Sequence, residues 1–353
     1  MNLRDLRSEI DRIDNHILAL LNQRAKVILR IGRIKSATGK GVYAPEREDE
    51  ILKRLAKNNK GPLKKEALRA VYREIMSSAL SLEKPVKIAY LGPVATFSHL
   101  AALKKFGSLV EYVPCESIGD AFLNVEKGLV DYGVVPVENS IEGAVTHTLD
   151  MLVDSDLKIC AQIILDISHN LLARCPLKQI KRVYSNPQVF GQCRIWLNEN
   201  LGRAEQIEVS STTRAAQIAA KEKNSACIAS SLAAQVYKLK IIAADIEDSP
   251  HNITRFLVIG NADVPATGND RTSILFSIKD RVGALHDMLM PFKKNKINLT
   301  KIESRPSKKK AWDYLFFVDF KGHYKDNNVK NALLELEDKC KFLKVLGSYP
   351  VGE

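Results

Sequence analysis

The apolar residues of the first 35 positions fall on Leu3, Leu6, Ile10, Ile13, Ile17 and Leu20, then Val27, Ile31 and Ile34, a strict alternation of three and four. That spacing lines them up as one seam along a single amphipathic helix. At about 1.5 Å per residue the helix spans roughly 47 Å, too long for a compact module of its size unless it lies along a partner. An intertwined homodimer, or a larger homo-oligomer, is the expected solution. Between Leu20 and Val27 the seam carries Arg24, and a guanidinium held in an apolar seam needs an anion. Arg7 and Lys35 follow Leu3 and Ile31 by one turn on the same side. One seam arginine is as readily a register-setting polar residue, but three cations together point to a small anionic ligand.

The chain has 353 residues, with 53 Lys+Arg against 41 Asp+Glu and a net charge of +12. Its length fits two or three domains. Residues 1–85 hold 19 basic and 11 acidic residues, 86–270 hold 17 and 20, and 271–353 hold 17 and 10, so two basic modules flank an acidic one. The breaks coincide with Glu83-Lys84-Pro85-Val86 and with a turn-rich stretch at 261–270, giving expected domains at 1–85, 86–265 and 271–353. With 45% hydrophobic and 27% charged residues the chain is neither a disordered nor a disulfide-scaffold sequence. No uncharged apolar run approaches the roughly 18 residues of a membrane helix, and the N-terminus is charged, so a cytoplasmic protein with no membrane partner is expected. Six cysteines form no C-x-x-C pair and no metal pattern with the seven histidines. Reduced, packed thiols and no metal are expected. There is no G-x-G-x-x-G and no P-loop, so no dinucleotide or ATP cofactor is implied.

After the seam helix, the segment Thr38 to Pro45 leads into a helix opened by Glu46-Arg47-Glu48, and Leu68, Val71, Ile75, Ala79 and Leu82 keep helical spacing up to Glu83. Over residues 3–83 this resembles the all-helical chorismate mutases, with L-R-x-x-I-D-x-I-D, L-L-x-x-R, a lysine and R-E in order. The resemblance implies that Arg7, Arg24, Lys35, Arg47, Glu48 and Glu83 bind chorismate, Arg7 reaching the partner subunit's site. Lys35 and Glu83 would contact the ether oxygen. Conversion of chorismate to prephenate is a unimolecular pericyclic step, so holding a dicarboxylate compact and stabilising charge on that oxygen is sufficient. Glu83 stands where relatives have Gln and must be protonated to donate a hydrogen bond, which predicts mutase activity falling as pH rises. Ala44 stands where some relatives place Asp.

From Val86 onward short apolar runs alternate with amphipathic helices, an α/β pattern. Strands are expected at 86–91, 109–113, 131–137, 180–184, 206–209, 226–229 and 256–259, with helices at 96–106, 117–127, 143–152, 187–199, 212–222 and 230–236. Strand ends carry Thr96-Phe97-Ser98, Glu138-Asn139-Ser140, Ser185-Asn186-Pro187-Gln188, Ser210-Ser211-Thr212-Thr213 and Asn252-Ile253-Thr254-Arg255-Phe256. Each alone reads as a helix cap, and five with one arginine suggest a carboxylate site. In order, they resemble prephenate dehydratase: G-P-x-x-T-F-S-H-x-A-A, P-V-E-N-S-x-E-G, S-x-P-Q-x-x-x-Q-C and T-R-F. The resemblance implies a two-lobed, periplasmic-binding-like domain that converts prephenate to phenylpyruvate without a cofactor. It makes Thr254 the catalytic hydroxyl and Arg255 a carboxylate anchor, with Thr96, Ser98, Asn139, Ser140, Ser185, Gln192, Ser211 and Thr212 as further prephenate contacts. Ala95 and Asn186 stand where the family usually has Gly and His. If residue 95 needs a positive φ, alanine there costs stability.

The last 80 residues read βαββαβ: strands at 272–278, 297–302, 314–320 and 342–346, helices at 284–294 and 328–338. Gly283-Ala284-Leu285 opens the first helix and Glu303-Ser304-Arg305-Pro306 ends the second strand. These resemble a ferredoxin-like ACT domain of the phenylalanine-sensing type, which implies an effector bound by those seven residues, its carboxylate at the helix turn and its ammonium at Glu303. Lys308-Lys309-Lys310 reads as a solvated turn. The whole chain thus resembles a bifunctional P-protein, chorismate mutase/prephenate dehydratase under feedback by L-phenylalanine. Two other readings are open: an amino-acid-sensing binding protein without turnover, and nucleic-acid binding through the basic ends. The mutase cations together with Thr254-Arg255-Phe256 oppose the first, and the scarcity of aromatic residues among the basic residues of 1–85, only Tyr43 and Tyr72, opposes the second.

Overall fold

A computed structural model describes residues 2–38, 43–278, 281–306 and 314–351, so Lys308-Lys309-Lys310 and part of the 38–45 loop lie outside the described residues. Two compact units result, Met1–Lys87 with Phe106–Glu111, and Ile88–Lys105 with Tyr112–Glu353.

The first unit contains α1 (Leu3–Thr38), α2 (Pro45–Asn58) and α3 (Lys65–Glu83). At 36 residues α1 is roughly 54 Å long. Its seam is uncovered: Ile10 is 57% exposed and Ile17 48%. α3 packs on α1 from the side of Leu21, Ala25 and Ile28, opposing Ile75, Ala79 and Leu82. Gly32 lets the end of α3 close in, because a Cβ there would sit 3.2 Å from Cγ of Glu83. Pro45 at the first helical position and Glu46 and Glu48 in the first turn start α2, where a missing N–H is harmless and negative charge is favoured.

The second unit begins with β1 (Lys87–Leu91), α4 (Phe97–Phe106), β2 (Glu111–Cys115), α5 (Ile118–Glu126), β3 (Tyr132–Asn139), β4 (Gly143–Ala144), α6 (Thr146–Asp154) and β5 (Lys158–Asp166). A second lobe follows with β6 (Asn170–Ala173), β7 (Arg182–Ser185), α7 (Pro187–Gln192), α8 (Arg194–Leu201), β8 (Glu205–Glu208), α9 (Thr212–Ala219), β9 (Ser225–Ala229), α10 (Ser231–Tyr237) and β10 (Lys240–Ala243). The chain then returns as β11 (Ile253–Gly260) between β3 and β5, antiparallel to both. The first sheet runs β2-β1-β3-β11-β5 and the second β10-β6-β9-β7-β8. Two lobes joined by two crossing segments follow, as the α/β pattern implied.

Four strands, β4, β5, β6 and β10, have no counterpart in the sequence reading, which placed the β4 residues in a helix at 143–152. β5, Lys-Ile-Cys-Ala-Gln-Ile-Ile-Leu-Asp, is buried at most positions and so lacks the alternation that marks a half-exposed strand. The single helix expected at 187–199 is two, broken at Cys193, and the strand expected at 109–113 lies two residues later. Ala95 has φ +73°. The strain of about 1–2 kcal/mol is offset in part by a fully packed methyl worth about 0.8 kcal/mol.

The C-terminal elements are β12 (Asp270–Ser277), α11 (Ala284–Lys294), β13 (Leu299–Pro306), β14 (Tyr314–Lys321), α12 (Asn327–Glu337) and β15 (Phe342–Pro350), in sheet order β13-β14-β12-β15. One face, with Ile274, Phe276, Phe316, Val318 and Phe320, packs on the two helices. The other, with Leu275, Leu315, Phe317, Leu346 and Tyr349, is continuous with the core of the first lobe, including Val137, Leu149, Ile159 and Leu257. Lys158 and Lys344 reinforce this contact by donating to backbone carbonyls of Val345 and Ser155 at 3.0 and 2.6 Å. β15 approaches β5 so closely that a Cβ on Gly347 would collide with the carbonyl oxygen of Ile159 and lie 2.8 Å from its nitrogen. Gly347→Ala should therefore destabilise the second unit by about 3 kcal/mol, the upper end for overpacking because backbone cannot yield. Urea unfolding followed by circular dichroism checks this, and an unchanged midpoint would contradict the close approach.

Candidate active sites

In the first unit Lys35 Nζ lies 3.3 Å from Oε2 of Glu83. Glu46 is close enough for the Lys35 charge to act on it, although burial dominates and pushes its carboxyl up. Arg24 lines a cavity of about 220 Å³ with Leu21, Glu74, Ser78 and Leu82. Arg47 is exposed and donates to Glu50 at 2.5 Å, while Glu48 is half-buried on the next position of α2. Arg7 lies 17 residues before Arg24 on the same helix, roughly 25 Å away, so one chain does not bring the two together.

In the second unit β3 and β11 place Asn139 directly opposite Thr254. Asn139 Nδ2 donates to Thr254 Oγ1 and to Asn252 Oδ1, each at 2.8 Å. Its orientation is fixed from behind, because Oδ1 accepts the backbone N–H groups of Ile141 and Glu142 at 2.9 and 3.1 Å. Asn252 Nδ2 donates to Gln192 Oε1 at 3.1 Å, and the same oxygen meets His169 Nε2 at 2.8 Å. An amide oxygen only accepts, so His169 carries its proton on Nε2 and turns a bare Nδ1 into the interior, where it has no partner. Thr254, Asn252 and His169 are all buried. Since Thr254 Oγ1 accepts from Asn139, its own proton is available to another acceptor, and the Asn139 N–H stabilises the oxygen as that proton leaves.

Thr96, Ser140, Ser185 and Ser211 bond to the backbone. Thr96 accepts the His99 N–H at 3.2 Å and Ser211 that of Arg214 at 3.0 Å, capping α4 and α9. Ser140 donates to the His251 carbonyl at 2.7 Å and Ser185 to that of Ile228 at 3.1 Å. Ser98 is buried in the first turn of α4, and Thr212 opens α9. Asn186 caps α7 through the Val189 N–H at 2.9 Å.

Arg255 overturns an expectation. Adjacent residues of a strand point to opposite faces, so a guanidinium next to Thr254 cannot share its site. Arg255 turns away from the lobes and donates to Asp319 Oδ2 at 2.6 Å and Tyr349 Oη at 2.7 Å. In this structure its guanidinium is engaged with Asp319 and Tyr349.

Three family models match the chain in order: chorismate mutase type II at residues 6–84, prephenate dehydratase at 88–264 and ACT domain at 272–338. A bifunctional chorismate mutase/prephenate dehydratase of Aquifex aeolicus is 53% identical over 353 residues, covering 99% of this chain and 98% of that protein. The chain belongs to the bifunctional chorismate mutase/prephenate dehydratase family. The Pseudomonas aeruginosa relative is 47% identical, covering 99% of this chain and 97% of its own length. Among solved structures, a prephenate dehydratase of Arthrobacter aurescens in complex with L-Phe has a TM-score of 0.70 at 33% identity, covering 75% of this chain and 90% of that one. That of Staphylococcus aureus has 0.66 at 31%, covering 75% and 100%. This bifunctional enzyme thus has chorismate mutase and prephenate dehydratase activities and carries an ACT domain.

In the ACT domain Gly283 adopts a left-handed φ of +77° before Ala284, which is buried, and Leu285, which is 38% exposed. The second effector motif is divided by the strand period. Glu303 and Arg305 share the face of Phe317 and Leu315, toward the dehydratase lobe, whereas Ser304 and Pro306 are exposed on the other. Arg305 pairs with Asp150 at 3.2 Å and donates to the Thr146 carbonyl. Sequence reasoning did not single out His169, Asn252, Glu138 and Asp319, which the structure links to Asn139, Thr254 and Arg255. Asn252 and Glu138 lay inside the motif segments already singled out, but nothing local marks His169 or Asp319.

Burial drives the His169 pKa below its ordinary value of 6.5, against the opposing pull of Gln192 and of Glu247, whose carboxylate accepts the His169 backbone N–H at 2.8 Å. Burial does the same to His99, which is stacked on Tyr90 and accepts the Ala95 N–H at 3.2 Å. The unfolded chain then binds more protons just below pH 6.5, so stability is full above that pH and is lost as pH falls from it toward the lowered folded values. Unfolding midpoints at pH 7.5 and 5.5 should differ in that sense, and His169→Gln should narrow the difference. An undiminished difference in the variant would contradict the assignment.

Proposed function

We propose that Thr254 protonates the departing hydroxyl of prephenate, and the observation that carries this is the 2.8 Å hydrogen bond from Asn139 to its oxygen. The hydroxyl leaves as water, the ring carboxylate leaves as carbon dioxide, the electron pair of the broken carbon–carbon bond enters the ring, which becomes aromatic, and solvent water returns a proton to the Thr254 oxygen. A free threonine is a weak acid. Asn139 supplies the polarisation that makes the donor role workable, and Asn252, Gln192 and His169 hold that amide in place. With Arg255 turned away, the substrate's carboxylates fall to the N-terminal turns of α4 and α9, which Thr96, Ser98, Ser211 and Thr212 open. Ser140 and Ser185 brace the strand ends.

In the mutase module, Arg24, Lys35, Arg47, Glu48 and Glu83 of one chain and Arg7 of a second chain form the chorismate site. The exposed seam of α1 and the 25 Å between Arg7 and Arg24 support a homodimer as its smallest complete form. The ACT domain is read as a sensor of L-phenylalanine, the ligand named for the Arthrobacter relative, held at Gly283, Ala284, Leu285, Ser304 and Pro306, with Glu303 and Arg305 acting from the opposite face. The functional modules are 1–85, 86–265 and 271–353. Among the described residues no helix is long and apolar enough to cross a membrane. Six free cysteines, with burial pushing the Cys160 and Cys193 thiols up to about 12, suit a reducing cytoplasm.

Purified protein given chorismate should form prephenate and then phenylpyruvate. Thr254→Ala should lower dehydratase kcat by about 10²-fold or more while mutase activity stays at the parental value; undiminished dehydratase activity would remove Thr254 from the mechanism. Glu83→Ala removes the group beside Lys35 and should lower mutase kcat by about 10²-fold, whereas Glu83→Gln keeps a hydrogen-bonding group there and should retain more of it. Equal kcat in Glu83→Ala and the parent would refute this.

A further inference from the structure

The T-R-F strand and the E-N-S strand are two-sided in the same way. Thr254 faces Asn139 across the β11–β3 pair, and one residue on, Arg255 faces Glu138. The first pair is the candidate reaction centre. The second lies directly behind it, against the ACT sheet.

There Arg255 enters a closed ring of hydrogen bonds. Nη1 donates to Asp319 Oδ2 at 2.6 Å and Nη2 to Tyr349 Oη at 2.7 Å. Tyr349, whose phenol burial pushes up to about 12, stays protonated and donates to Ser273 Oγ at 2.7 Å, and Ser273 donates to Asp319 Oδ1 at 2.5 Å. Arg255 and Asp319 side chains are only 9% and 10% exposed. Glu138 meets Arg255 at 3.7 Å and Lys301 at 3.0 Å. Lys301 belongs to β13, the strand that ends in Glu303-Ser304-Arg305-Pro306; two and four residues further on, Glu303 and Arg305 lie on the same face, and Arg305 pairs with Asp150 of the dehydratase lobe. Buried ion pairs of this kind are poor sources of stability but hold one geometry, because either partner alone would be an uncompensated charge. The same strand therefore offers Ser304 and Pro306 outward while its alternate residues grip the back of the reaction centre.

We propose that Arg255, Asp319, Glu138 and Lys301 are positioning residues for the dehydratase reaction: they set the β3–β11 register at Thr254 and Asn139, and they carry the effector state of β13 to it. The proposal rests on the assignment of Thr254 to proton transfer and of L-phenylalanine to the ACT domain. A purely structural tie would affect folding alone, whereas a positioning tie divides effector binding from effector response.

The test uses the full chain and the double variant Arg255→Met/Asp319→Leu, which replaces the buried pair by apolar residues of similar size. Mutase kcat reports that the chain is folded, calorimetry with L-phenylalanine reports binding, and dehydratase kcat and KM are measured with and without L-phenylalanine. The expected result is binding within threefold of the parent, KM within threefold, kcat lowered at least tenfold, and inhibition abolished. Should the double variant not fold, Arg255→Lys keeps the charge but cannot span Asp319 and Tyr349 together, and is expected to lower kcat and weaken inhibition at least fivefold. Lys301→Met is expected to raise the half-inhibitory concentration of L-phenylalanine at least fivefold. Parental kcat and parental inhibition in the variants overturn the proposal and leave the site assignments standing. Full dehydratase activity in Thr254→Ala, or no L-phenylalanine binding by the parent, overturns those assignments and the proposal with them.

Discussion

The pairing of β3 with β11 is the contact on which the second unit depends. β11 is the chain's return from the second lobe, and its insertion between β3 and β5 closes the first sheet around a strand that arrives last in sequence. Antiparallel register then determines everything on both sides of it. Asn139 meets Thr254, so an amide polarises a hydroxyl, and Glu138 meets Arg255, so a carboxylate and a guanidinium face the ACT sheet. A slip of one residue would exchange the two faces, sending charge into the cleft and the hydroxyl into the domain contact.

The two reactions ask different things of the protein, and the two units answer differently. The mutase step needs a compact substrate and cations near one oxygen, and on the proposed reading α1 supplies the cations with Arg24 and Lys35 while α3 sets the carboxyl of Glu83 beside Lys35. The dehydratase step needs a proton delivered to a leaving hydroxyl, and on the proposed reading it draws on neutral amides and on a histidine whose pKa burial lowers. The net charge of +12 is thus no guide to where the second reaction occurs.

Much of this was legible in the chain itself. The three-four seam of α1, the βαββαβ order of the ACT domain and the motif segments around Asn139 and Thr254 all follow from local spacing. β5 was not legible, because a strand buried on both faces loses the alternation that identifies it. The partner of Arg255 was not legible either: Asp319 lies 64 residues away on another sheet, and its meaning arises only when the sheets stack. That Arg255 faces away from Thr254 was legible, since the alternation of a strand already assigns it to the opposite face. Hydroxyls at strand ends were harder to sort, because Ser211 capping a helix and Thr254 accepting from the Asn139 amide look the same in sequence.

The shared core has a bearing on how this chain can be cut. Leu275, Phe317, Leu346 and Tyr349 of the ACT sheet complete the same apolar cluster as Val137, Leu149, Ile159 and Leu257 of the dehydratase lobe. A fragment ending in the turn-rich stretch at 261–270 would expose that apolar face to water and leave Arg255 without Asp319, a surface prone to self-association. The sensor is therefore not an appendage that recombination can exchange freely. A donor ACT domain must bring its own aspartate, tyrosine and close-approach glycine, or the catalytic lobe loses one wall of its interior.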